Sequence, residues 1–109
     1  MAVPEITASE LKQRLDQGQP LVLVDVREPL EWSIADLGEY APVRMPTGEF
    51  ADRMDELDPD DNIVVYCRSG SRSAWAVGML QAQGFDKVFN LQGGILAWKD
   101  QVDPSLRSY

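Results

Sequence analysis

The stretch Ile63-Val64-Val65-Tyr66-Cys67-Arg68-Ser69-Gly70-Ser71-Arg72-Ser73 changes character twice in eleven residues. Ile63 to Tyr66 is a β-branched and aromatic run that reads as a buried strand. Cys67 to Gly70 is small and polar, a loop. Ser71 to Ser73 opens a helical pattern that Ala74, Ala76, Val77 and Leu80 continue and Gly84 ends. A strand, loop and helix in this order point several backbone N–H groups and the positive end of a helix into the loop, which makes it an anion site. The anion can be the thiolate of Cys67 itself. The competing reading is a packing cysteine at the end of a core strand, since free cysteine is among the most buried residue types.

Working outward, the same alternation of strand and helix recurs. Thr7-Ala8-Ser9-Glu10 fits a capping box, and Leu11 and Leu15 give a helix to about Asp16 an apolar stripe. Leu21-Val22-Leu23-Val24-Asp25-Val26 is nearly all apolar, as expected of a strand covered on both faces, and it ends in the charged group Asp25, Arg27 and Glu28. Ligands gather at the carboxyl ends of parallel strands, so Asp25 and Arg27 either support a site there or simply pair with each other. Pro29 suits a first helical position, with Leu30, Trp32 and Ile34 or Leu37 facing the core. Residues 38–42 read as loop, Val43-Arg44-Met45 as an edge strand and residues 47–57 as a helix with Phe50, Met54 and Leu57 inward. Lys87 to Leu91 reads as a last strand, Gly93-Gly94 as a tight turn and Ile95 to Trp98 as a closing helix, with residues 103–109 as a loosely held tail. Strands alternating with helices imply one parallel sheet covered on both faces.

Composition narrows the chemistry. A chain of 109 residues is one domain, here taken as residues 1–109. Ten lysines and arginines against 18 acids give a net charge of -8, which disfavours nucleic acid and anionic membrane surfaces as partners. No run approaches the length of a membrane span, and residues 1–5 lack a signal-peptide layout, so the expected location is the cytoplasm. There is one cysteine and no histidine, so no internal disulfide, no Cys–His pair and no histidine-based metal cluster is available. A nucleophilic Cys67 must therefore be activated by backbone dipoles and arginines. Arg68 and Arg72 offer planar forks for an oxyanion, while Ser69, Gly70 and Ser71 are small enough to let a bound sulfur approach the backbone. On this loop a reactive cysteine is favoured over a packing one.

Three blocks in order, Val24-Asp25-Val26-Arg27-Glu28-Pro29-Leu30-Glu31-Trp32, Tyr66 to Ala74 and Leu91-Gln92-Gly93-Gly94-Ile95-Leu96-Ala97-Trp98, resemble the successive motifs of single-domain rhodanese proteins. The resemblance implies a three-layer α/β/α fold with a central five-stranded, mainly parallel sheet. It implies a sulfurtransferase in which Cys67 takes sulfur from a small sulfur-containing anion such as thiosulfate. The resulting persulfide is passed to cyanide, a small thiol or a protein thiol. Carried over, the N–H groups of residues 68–72 cradle the persulfide, and Arg68 and Arg72 bind the donor. No metal or organic cofactor is implied, because the covalent intermediate divides the transfer into two steps. A relay module with one protein partner is the alternative.

Related phosphatases place an arginine six positions after the cysteine. Here that position is Ser73 and the arginine is Arg72, a tighter ring that ranks phosphatase or arsenate reductase below sulfur transfer. Two departures stand out. Asp36 replaces the usual histidine region, with Glu39 and Tyr40 expected on the pocket rim. Glu31 stands where some thiosulfate-using relatives carry an arginine, which implies that thiosulfate is a poor donor.

Overall fold

The computed structural model describes residues 2–109. Its elements in chain order are β1 (Glu5–Ile6), α1 (Ala8–Asp16), β2 (Val22–Asp25), α2 (Pro29–Trp32), β3 (Val43–Arg44), α3 (Thr47–Arg53), β4 (Ile63–Tyr66), α4 (Ser71–Ala82), β5 (Val88–Leu91) and α5 (Gly94–Gln101). Short 3₁₀ turns at Gly38–Tyr40 and Met54–Glu56 join them. The five strands form one sheet in the order β1-β5-β4-β2-β3, and every pairing is parallel. This is the three-layer α/β/α architecture expected, with the sheet wholly rather than mainly parallel. No helix among the described residues is long and apolar enough to cross a membrane.

Strand alternation divides the core. Ile63, Val65 and Cys67 join Val24, Phe50, Val77 and Leu80 on the face covered by α3 and α4. Val64 and Tyr66 join Leu11, Leu91, Ile95 and Trp98 on the face covered by α1 and α5. Cys67 therefore leaves the central strand on the α4 side, and Tyr66 points to the opposite layer. The capping box of α1 is present, with Glu10 N–H donating to Thr7 Oγ1 at 3.1 Å and Thr7 N–H donating to Glu10 Oε1 at 3.3 Å. Such a cap is worth about 1 kcal/mol.

Several local expectations are corrected. β1 was not anticipated: two residues are too few to show a period, and Ile6 is placed by its pairing with Leu91. Helix α2 is a single turn, so Leu30 does not reach the core and is 75% exposed. Trp75, on the same side of the sheet as Cys67, is 47% exposed, although its ring touches Phe50 at 5.9 Å between centroids. Tyr40 packs edge-on against Trp98 at 5.6 Å, and both Tyr40 and Glu39 sit beside Lys12 of α1. They belong to the layer opposite Cys67 and not to a pocket rim. The tail is not loose at its last residue, because Tyr109 is bonded into the site described next.

Candidate active site at the end of β4

The loop begins where parallel β2 and β4 end side by side, with Asp25 in register with Tyr66 and Val26 N–H donating to Tyr66 O at 3.1 Å. Gly70 adopts φ +111°, a conformation that favours glycine, and turns the chain into α4. The N-terminus of α5 clamps the loop from below: Ile95 N–H donates to Cys67 O at 2.9 Å and Leu96 N–H to Arg68 O at 3.2 Å. Gly94 is required for that approach, since a Cβ there would lie 2.6 Å from Cys67 O. The Gly-Gly pair expected to allow a tight turn thus also lets a second helix touch the cysteine loop.

Cys67 is the only cysteine, is 1% exposed and is held by neutral donors. Gly70 N–H donates to Sγ at 3.1 Å, and Ser73 Oγ lies 3.4 Å from it. Burial pushes the thiol up, but the Ser73 hydroxyl and the N–H groups of Ser73, Gly70 and Ser69 outweigh it, so the net displacement is downward. Ser73 has one hydroxyl proton and three acceptors in reach: Asn90 Oδ1 at 2.5 Å, Gly70 O at 3.2 Å and Sγ. A charged sulfur is the strongest acceptor of the three, so the proton turns to Sγ as the thiolate forms. Asn90 has its amide fixed by donating to Gly70 O and to Glu5 Oε2, each at 3.1 Å, which keeps Oδ1 facing Ser73.

The two loop arginines are engaged elsewhere. Arg72 forms a two-point pair with Glu31, Nη1 to Oε2 at 2.7 Å and Nη2 to Oε1 at 2.8 Å. That pair, against the opposing effect of burial and with help from Glu28 N–H and the Tyr109 hydroxyl, lowers the Glu31 carboxyl to about 2. Arg68 donates through Nε to the main-chain oxygen of Tyr109 and lies 5.3 Å from the centre of its ring. The Tyr109 hydroxyl accepts from Arg27 Nη1 at 3.0 Å and donates to Glu31 Oε1 at 2.9 Å. Burial raises the Tyr109 phenol, so it stays a donor across the neutral range.

Asp25 and Arg27 pair with each other, as one of their two sequence readings had it. Both are fully buried, with Arg27 Nε to Asp25 Oδ1 and Nη2 to Oδ2 each at 3.0 Å. Arg44 adds a 2.5 Å bond to Asp25 Oδ2 and one of 2.7 Å to Asp36, and the Tyr66 hydroxyl donates to Asp25 at 3.2 Å. Through Tyr109 and Glu31 this cluster reaches Arg72. Of the sequence-derived set, Cys67, Ser69 and Gly70 meet at Sγ. Ser71 starts α4 at the surface, and Arg68 and Arg72 face Tyr109 and Glu31. Ser73, Asn90 and Tyr109 were missed as site residues. An asparagine inside the strand Val88-Phe89-Asn90-Leu91 was the one available signal for Asn90, since a buried strand amide needs partners.

The family model described as a rhodanese-like domain matches residues 7–101. The chain belongs to the rhodanese-like family. Among relatives of the domain, a sulfurtransferase of Allochromatium vinosum is 40% identical over 96 residues, covering 88% of each chain. The probable adenylyltransferase/sulfurtransferase MoeZ of Mycobacterium tuberculosis is 36% identical over 104 residues, covering 95% of this chain but only 26% of MoeZ. The chain thus spans about a quarter of that longer protein. Among solved structures, the rhodanese-like domain protein of Staphylococcus aureus superposes with a TM-score of 0.82 at 29% identity, covering 98% of this chain and 99% of that one. The rhodanese-like domain described here therefore has relatives named as sulfurtransferases and shares their fold.

Proposed function

We propose that this rhodanese-like domain is a sulfurtransferase in which Cys67 carries the sulfur as a persulfide. The observation that carries the reading is the ring of neutral donors from Ser69, Gly70 and Ser73 around Sγ, which favours the thiolate. In the first step the Cys67 thiolate attacks the sulfane sulfur of the donor. A new S–S bond forms on Cys67, and the donor's bond to that sulfur breaks, its electron pair leaving with the sulfite of thiosulfate or the thiolate of a persulfide. In the second step a thiophilic acceptor, cyanide or a thiol, takes the outer sulfur and returns the Cys67 thiolate. The reaction as written calls on no metal or organic cofactor. Its site residues are Cys67 as nucleophile and Ser69, Gly70 and Ser73 as the cradle, with Arg68 and Arg72 of the same loop held in its rim by Tyr109 and Glu31.

Incubation of the reduced protein with sulfane-sulfur donors is expected to add one sulfur atom to Cys67, seen by mass and removed by cyanide. The Cys67→Ser variant is expected to add none. An unchanged wild-type mass with every donor would remove the reading. A second reading, relay of sulfur to one protein thiol, draws on the exposed Leu30 beside Glu31 and the exposed Trp75 one turn after Arg72, an apolar fringe suited to a protein surface. It predicts feeble cyanide turnover but efficient transfer to that partner.

A further inference from the structure

We propose that Glu31 and Tyr109 select the sulfur donor, favouring a sulfane sulfur carried on a thiol, as a persulfide, over a dianion such as thiosulfate. The inference rests on the sulfurtransferase reading and deepens it. A dianionic donor needs free guanidinium groups, and the two nearest along the chain are those of Arg68 and Arg72. Arg72 is held at two points by Glu31, at 2.7 and 2.8 Å, and Arg68 is held by the main chain and ring of Tyr109. The Tyr109 hydroxyl, between Arg27 and Glu31, joins the two arrangements into one. Cys67 is 1% exposed, and Arg72 is close enough to interact with its charge, so a donor approaching Sγ meets the Arg72–Glu31 pair. A dianion would have to break a charge-assisted pair and then lie beside the carboxylate it displaced, on a chain of net charge -8.

A thiol-borne persulfide makes no such demand. Its outer sulfur is received by the neutral donors of the loop, and no sulfonate has to be neutralised. Beside Arg72 lies a cavity of about 380 Å³ that Thr47, Gly48 and Trp75 also line, and it is available to the carrier. The step balances without a further reactant: the Cys67 thiolate forms a bond to the outer sulfur of R–S–SH. The S–S bond of the donor breaks, and R–S⁻ leaves with the electron pair.

The test is the rate at which Cys67 gains one sulfur, by mass, from thiosulfate and from cysteine persulfide, in the wild type, Glu31→Gln and Tyr109→Phe, each first shown by circular dichroism to be fully folded at the assay temperature. Intrinsic donor reactivity cancels when the thiosulfate-to-persulfide rate ratio is compared between proteins. That ratio is expected to rise about tenfold in Glu31→Gln, with a lower half-saturating thiosulfate concentration, and about threefold in Tyr109→Phe, where the hydroxyl bridge between Arg27 and Glu31 is lost but the Glu31–Arg72 pair is kept. A merely structural role would move both donors together and leave the ratio alone. A ratio unchanged in both variants, or a wild type that takes thiosulfate as readily as cysteine persulfide, overturns the proposal while leaving sulfur transfer intact. Failure of both donors to label any of the three proteins overturns the sulfurtransferase reading itself.

Discussion

Two neighbouring regions at the carboxyl end of the sheet hold negative charge in opposite ways. At the end of β2 the Asp25 carboxylate is fully buried and is answered by full charges, Arg27 and Arg44, with Tyr66 adding a hydroxyl. At the end of β4, next to it in register, the Cys67 sulfur is answered by backbone N–H groups and one serine hydroxyl. A buried carboxylate with guanidinium partners is fixed in place, and breaking it strands an ion in a medium that solvates it poorly. Dipoles stabilise a thiolate without tying it to a counter-ion, so it keeps its freedom to attack. The charged cluster is locked in place, and the neutral one leaves the sulfur without a counter-ion.

The contrast is most strongly broken at Cys67 itself, where Cys67→Ser is expected to abolish sulfur loading completely while leaving the melting curve close to that of the wild type. The reverse pattern belongs to Asp25. Asp25→Ala leaves Arg27 buried without its carboxylate and is expected to cost about 3–5 kcal/mol in urea unfolding, whereas a loss below about 1 kcal/mol would mean that the cluster is not a structural ion pair. Ser73→Ala removes the hydroxyl from Sγ, and because the folded state holds this thiol below its ordinary value, the pH midpoint of Cys67 alkylation is expected to move upward. A midpoint that stays put would assign the effect to the backbone N–H groups alone. The smallest effect is at Glu31. Its carboxyl is lowered to about 2, so the stability it contributes is present above the unfolded value near 4.5 and is lost as pH falls toward about 2. Glu31→Gln is expected to flatten that part of the acid unfolding curve, and an identical curve in the two proteins would count against the Arg72 pair.

What could be read from the sequence followed how locally each feature is encoded. Thr7 with Glu10, the apolar runs of β2 and β4 and the strand–loop–helix at Cys67 are each specified within a few residues, and each is present. The order of the three motif blocks extended this to the whole sheet. Leu30 was misplaced because a one-turn helix has no apolar face for a period to define. Tyr40 was set on the wrong side of the sheet because a loop's direction depends on what it meets, here Trp98. Arg72 was expected to face the donor, yet its partner is 41 residues away at Glu31. Tyr109, 78 residues from Glu31 and 82 from Arg27, belongs to no pattern that a window of sequence can show. Motifs marked the cysteine loop, whereas its rim is set by contacts distant in sequence.

The most direct measurement is the pH dependence of Cys67 alkylation by a small reagent in the reduced wild-type protein, where the single cysteine makes the signal unambiguous. The neutral ring of donors predicts a midpoint clearly below the roughly 8.5 of a free thiol. A midpoint at or above that value would contradict it, and would return Cys67 to the role of a packing residue at the end of a buried strand.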